Sequence, residues 1–269
     1  MDSGVAAALI GAAATLVGVG GTVIVAVIGF RNTRDANNRA LDDARKANEA
    51  TLNATRDGQR ADRYTRAIDQ LGSSTVDVTI GGVYALENLA LDAPEVYHPT
   101  VMEVLAACIR ENSKKPLHEP APGADPRESP DPEPVIRPDI QAAMTVIARR
   151  DITRDRRRIN LRSAHLPQAD LPEAKLSGAD LTDATLDGAD LSGADLTGAD
   201  LIRAKLGGAR LRGADLSGAE LTWARIDRLT DLNDAKWPQG FAAPEGWKLD
   251  TGSGRLKLAA TDAGPAEAN

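Results

Sequence analysis

The sequence predicts an α+β chain built in parts: an apolar N-terminal helix, a small α-helical region, and a C-terminal stack of short β segments. Three observations carry this reading. Val5 to Phe30 is a run of 26 residues without a charge. Residues 76–113 hold apolar side chains at helical spacing. From Leu161 to Leu221 leucine recurs at every fifth position, thirteen times without a break, with alanine two places before nearly every one.

The run 5–30 is long enough to span a bilayer, which takes roughly 20 apolar residues. A cleaved signal peptide would need a basic start and a shorter apolar core, whereas only Asp2 precedes the run. The cations Arg31, Arg34, Arg39, Arg45 and Lys46 follow it, which predicts a single-pass cell-membrane anchor with its N-terminus outside and the rest cytoplasmic. From just before the run into it, Gly4, Ala7, Gly11, Ala14, Gly18 and Gly21 alternate by three and four residues. They share one helix face on which small side chains permit close approach, so a homo-oligomer through this face is expected. GVGGT at 18–22 is not a phosphate loop, because Val23 stands where the last glycine belongs and no lysine follows.

Residues 31–75 are polar and alanine-rich and read as a juxtamembrane helix, with Ala61, Tyr64, Ile68 and Leu71 keeping helical spacing near its end. A small helical module over 76–113 follows. One helix is expected within 77–91, on Ile80, Val83, Leu86 and Leu89. A second is expected to start at Pro99, since proline suits a first turn, with Val101, Met102, Leu105 and Ile109 on one face. Eight prolines between Pro116 and Pro138 mark 114–137 as a linker. In 138–150, Ile140, Ala143, Met144 and Ile147 share a face, giving a helix that caps the repeats. The basic run RDRRR at 154–158 reads as a connector, with a small anion site as the alternative.

A period of five suits neither ordinary element. On a helix successive leucines would rotate by about 140°, and on a straight strand they would alternate faces. The pattern becomes consistent if each repeat carries Ala and Leu inward and then turns a corner, where glycine accepts positive φ. This is a solenoid-type internal repeat. The A-x-L-x-x register over 159–228 resembles the pentapeptide repeat family. The resemblance implies a right-handed, four-sided parallel β-helix with four repeats per coil. The upstream stretch RYTRAIDQLGS…GGVYALENLA…HPTVMEVLAACIREN is similar to membrane-anchored pentapeptide repeat proteins of actinobacterial type. Trp237, Phe241 and Trp247 are expected to close the far end as a cap over 229–250, with 251–269 a disordered tail.

The chemistry is sparse. Aromatics are 3% of residues and the formal charge is −7, which disfavours nucleic acid as a partner. Cys108 lies in the apolar run VLAACI and reads as a reduced core residue. His98, His118 and His165 fall in a helix approach, the linker and an outward repeat position. Neither catalytic nor metal-binding motifs occur, so the chain reads as no enzyme and no cofactor is expected. The aspartates before the leucines read as a solvated outer face. In a twenty-residue coil they stack in columns: Asn160, Asp180, Asp200 and Glu220 on one side, and His165, Thr185, Lys205 and Arg225 on the next. Asp180, Asp200, Glu220, Lys205 and Arg225 are therefore the candidate interaction residues.

Together these features predict a membrane-tethered interaction scaffold whose repeat rod meets an unidentified protein partner in the cytoplasm. The alternative implied by the resemblance is a DNA mimic that regulates a type II topoisomerase. Rods of that kind are longer and more uniformly acidic, whereas this one carries Lys205, Arg210, Arg212 and Arg225.

Overall fold

The computed structural model describes residues 3–115 and 135–259, with side chains from residue 34 onward. The chain divides into two compact units, the first ending at Ala61 and the second beginning at Asp62. The first consists of most of α1 (Ser3–Leu71). The run 5–30 is helical, but its side chains, and with them the face Gly4–Ala7–Gly11–Ala14–Gly18–Gly21, lie outside the described residues. Among the described residues no helix is long and apolar enough to cross a membrane. Residues 34–59 are all exposed. A helix that is polar all round is held by its own backbone bonds and local pairs, here including Arg60 to Asp57.

In the second unit the last turns of α1 pack against α2 (Val76–Asp92) and α3 (Pro94–Asn112). Gly82 permits the close approach of α2 and α1: a Cβ there would lie 2.7 Å from the Leu71 nitrogen and 2.8 Å from the Ala67 oxygen. Val83, Leu86, Leu105 and Ile109 are fully buried in one cluster with Ile140, Met144 and Ile147 of α4 (Pro138–Arg149).

Helix α3 does not start at Pro99. It starts five residues earlier at Pro94, and Pro99 lies inside it. Pro94 meets the first-turn preference itself. An internal proline leaves the carbonyl four residues back without a donor, and that of Glu95 instead accepts from Arg156 Nη2 at 3.3 Å.

Residues 159–237 form the repeat stack. Parallel bridges join Asn160 to Asp180, Asp180 to Asp200 and Asp200 to Glu220, and three further rows run beside them, so twenty residues make one turn. Leu161 N donates to Asp180 O and Asp180 N to Ile159 O, both at 2.8 Å, and this pair of bonds repeats along each row. The leucines and alanines from Leu161 to Leu216 are buried almost completely. At each corner an alanine N–H closes on the leucine carbonyl three back, as Ala194 does on Leu191 at 3.0 Å. The third residue of that turn has positive φ, as in a type II turn. Glycine often fills it, but Ser163, Gln168, Glu173, Asp183, Arg203 and Trp223 also adopt it.

The stack runs further than 228. After one inserted residue, Asp231 bridges Arg210 and Lys236 bridges Asp215, with Leu232, Ala235 and Trp237 buried in the column. Thr230 takes an alanine place, and its hydroxyl donates to the Leu206 carbonyl at 2.8 Å. A hairpin of β1 (Trp247–Asp250) and β2 (Arg255–Leu258) then closes the end. Arg255 bridges Lys236 antiparallel, which stops the parallel stack, and Leu256 is fully buried. The tail expected over 251–269 is therefore structured as far as 259, because Leu256 fills the open column, and the remainder of it lies outside the described residues. Phe241 and Trp247 are only half-buried against it.

The opposite end is closed by hydrogen bonds from α3 and α4. Arg110 Nη1 donates to Asn160 O at 2.6 Å, and His165 N donates to Ser113 Oγ at 3.0 Å. The Gln141 amide serves both polar groups of Asp170, at 2.8 and 2.9 Å. Lys175 N donates to Ala148 O at 2.8 Å, and Arg150 Nη1 reaches Lys175 O at 2.5 Å. Arg150 is itself buried, with Nε on Asp155 at 2.7 Å, and Asp155 also meets His98 Nε2 at 3.0 Å.

Candidate interaction surface

The columns follow from backbone register. One turn of twenty residues places each pre-leucine side chain directly over its counterpart, and the bridges align Asp180, Asp200 and Glu220 in one row and Lys205 and Arg225 in another. The aspartates do more than face water. Asp180, Asp190, Asp195 and Asp215 each accept, through Oδ1, the N–H two residues on, at 3.0 Å. Glu220 does the same for Thr222 at 3.2 Å. These are Asx-type turns that fasten the corner from outside, which replaces the reading of a merely solvated face. Hydrogen bonds from Ser192 act with nearby Arg210 to hold the Asp190 carboxyl below its ordinary range despite partial burial.

Each of three rows holds one ion pair that offsets part of its charge. Arg158 reaches Asp200 at 2.8 Å, Arg210 lies 3.5 Å from Asp190, and Lys236 meets Asp215 at 2.6 Å. Between sides, Arg203 grips Asp183 with two bonds of 2.6 and 2.7 Å. The remaining side differs. Lys205 and Arg225 are bridged neighbours, and neither makes an ion pair among the described residues. Burial, and then the positive charge of Lys205, holds the His165 imidazole below its ordinary value.

One residue near this side escaped the sequence reading. Trp223, two residues before Arg225, is 75% exposed and has φ of +58°. Leu229 is likewise exposed. Both sit at corners, where the five-residue pattern sets no residue type; the only signal was a tryptophan in a chain with three. Among the described residues no group of His, Cys, Asp and Glu is placed to hold a metal ion. His98 lies inside α3 on Asp155, and His118 lies outside the described residues. Cys108 is half-buried, and burial pushes its thiol up, away from the reactive thiolate.

The family profile described as pentapeptide repeats matches eight copies, over residues 157–193 and 194–228. The chain belongs to the pentapeptide repeat family. Pentapeptide repeat proteins form right-handed β-helices and are generally not catalytic. Among solved structures, the chain is similar to HetL, a pentapeptide repeat protein involved in heterocyst differentiation regulation from the cyanobacterium Nostoc sp. The identity is 37% over 31% of this chain and 53% of HetL, with a TM-score of 0.19. A pentapeptide repeat protein of the Arabidopsis thaliana thylakoid lumen shares 29% identity over 29% of this chain and 57% of its own, at a TM-score of 0.18. Another from Nostoc shares 36% over 32% and 78%, at 0.15. The chain therefore spans just over half the length of the first two. Kinship rests on the repeat sequence, since such TM-scores say nothing of shape. No curated protein matches.

Proposed function

We propose that this pentapeptide repeat protein is a membrane-tethered interaction scaffold that presents a short, four-sided, right-handed β-helix to a protein partner in the cytoplasm. The observation that carries the reading is the side formed by Lys205 and Arg225, whose charges lack carboxylate partners among the described residues, with exposed Trp223 beside it. An aromatic next to a guanidinium is the composition typical of binding hot spots. A non-glycine residue in the left-handed region costs about 1 kcal/mol, and such strain often accompanies function. The uncharged run 5–30 followed by five cations supports the tether and its orientation. The same unpaired cations weigh against a DNA-like, uniformly acidic surface.

The test is crosslinking from intact membranes with the full chain and with an Arg225→Glu, Trp223→Ala variant. A defined partner captured by the first and lost by the second supports the scaffold. A type II topoisomerase captured equally by both would favour the DNA-mimic reading. Equal capture of any other partner would move the contact to another face.

A further inference from the structure

We propose that the arginine segment Arg156–Arg158 and helix α3 form a binding site for a phosphate-bearing ligand at the head of the repeat stack. The run was most simply a connector, yet it lines a cleft of about 360 Å³ with Met102 and Arg110 of α3. It also lines a second cleft of about 350 Å³ in which Arg150 joins it. Both volumes reach the lower range of small-ligand sites. In the first cleft four guanidiniums meet two carboxylates, Glu103 and Asp155. Asp155 is already engaged by Arg150 and His98. Glu103 lies 3.8 Å from Arg157, beyond hydrogen-bond reach. Arg158 pairs outward with Asp200.

Arg110 and Arg156 differ from the other arginines of this end. Their hydrogen bonds go to the neutral carbonyls of Asn160 and Glu95, and neither makes an ion pair among the described residues. Their charges are therefore uncompensated, in a chain whose overall formal charge is −7. Each guanidinium carries five N–H donors, so one carbonyl bond fixes its position and leaves others for a ligand. Gathered arginines repel one another, and an oxyanion with several acceptor oxygens relieves that while matching their planar forks. Phosphate fits this chemistry better than a single carboxylate.

The group could reach the cleft as a soluble phosphate or as a lipid headgroup, and the experiment separates the two. The full chain, held in phosphatidylcholine nanodiscs, is titrated with inorganic pyrophosphate at constant ionic strength by calorimetry. A second arm replaces part of the lipid with phosphatidate and follows the melting temperature. Saturable pyrophosphate binding assigns a soluble ligand, and stabilisation by phosphatidate alone assigns a headgroup. Arg157→Gln should weaken whichever response occurs by about tenfold, as expected for loss of a charge-assisted contact. Its side chain is 81% exposed and makes no hydrogen bond among the described residues, so the fold should survive. Glu103→Gln, which removes an acid from the cleft, should strengthen the response. No response in either arm, or responses unchanged in both variants, would overturn the site.

Discussion

Leu191 and Asp190 are adjacent, yet they meet opposite demands. Leu191 is fully enclosed by the column, so Leu191→Asp would bury an unpaired charge and cost several kcal/mol. Asp190 faces outward but accepts the Ser192 N–H at 3.0 Å. Asp190→Ala should therefore cost about 1 kcal/mol, and Asp190→Asn, which keeps the acceptor, distinctly less. Thermal melting of the three variants checks the order; equal losses would contradict the inward–outward phase. Trp223 gives a sharper test because its φ of +58° suits glycine. Trp223→Gly should raise stability by about 1 kcal/mol by relieving the left-handed strain. The same change should abolish partner capture, separating a binding role from a structural one. A fall in melting temperature would instead make the indole part of the packing.

At the scale of elements, the repeat coils are alike, and the ends need special pieces. Gln141 of α4 imitates a further strand by serving both polar groups of Asp170. Gln141→Ala should cost about 2 kcal/mol, since two peptide groups lose partners at once. Amide exchange at Asp170 should accelerate with it, and unchanged protection would show that water serves the edge equally well. At the other end, burial raises the Asp215 carboxyl, but hydrogen bonds from Lys236 and Ser217 outweigh this and hold it at about 2. The folded value lies below the unfolded one of about 3.9. Asp215 thus adds stability that is complete above about pH 4 and vanishes as pH falls through about 2. Denaturant titrations over that window should show a shallower decline for Asp215→Asn than for the native chain, and parallel curves would refute the pairing. Asp183 and Asp227 are lowered too, so some acid sensitivity persists.

For the whole molecule the proposed membrane tether makes orientation the central question. If the proposed tether holds, the cations that follow Phe30 predict by the positive-inside rule that everything beyond it is cytoplasmic. A reporter active only in the cytoplasm, fused after Asn269, should work, and one active only after export should stay silent. The reverse pattern would put the repeat stack outside and remove any cytoplasmic partner. The proposed anchor would also bear on assembly, since pairing through the Gly11 and Gly18 face would hold two rods together and raise the effective concentration of each for a two-sided partner.

The sequence by itself determined the repeat stack. The five-residue period specifies which residues are buried and where corners fall, because those relations are local. That four repeats make a turn was implied only by the family resemblance, and the bridges twenty residues apart set which side chains stack. Even the Asp190-to-Ser192 fastening was legible in principle, being a bond across two residues. The stack's true end was harder, because one inserted residue before Asp231 shifts the phase while Leu232 and Ala235 resume it. The sequence pointed to a capping helix at 138–150, but only the tertiary structure decided which groups close the open edges. Arg110, Ser113, Gln141 and Arg150 close edges 25 to 52 residues away, and Arg156 serves a carbonyl that Pro99 leaves open 61 residues back. A buried peptide group must find a partner wherever the fold offers one. That demand has no period, so it leaves no repeating mark in the sequence.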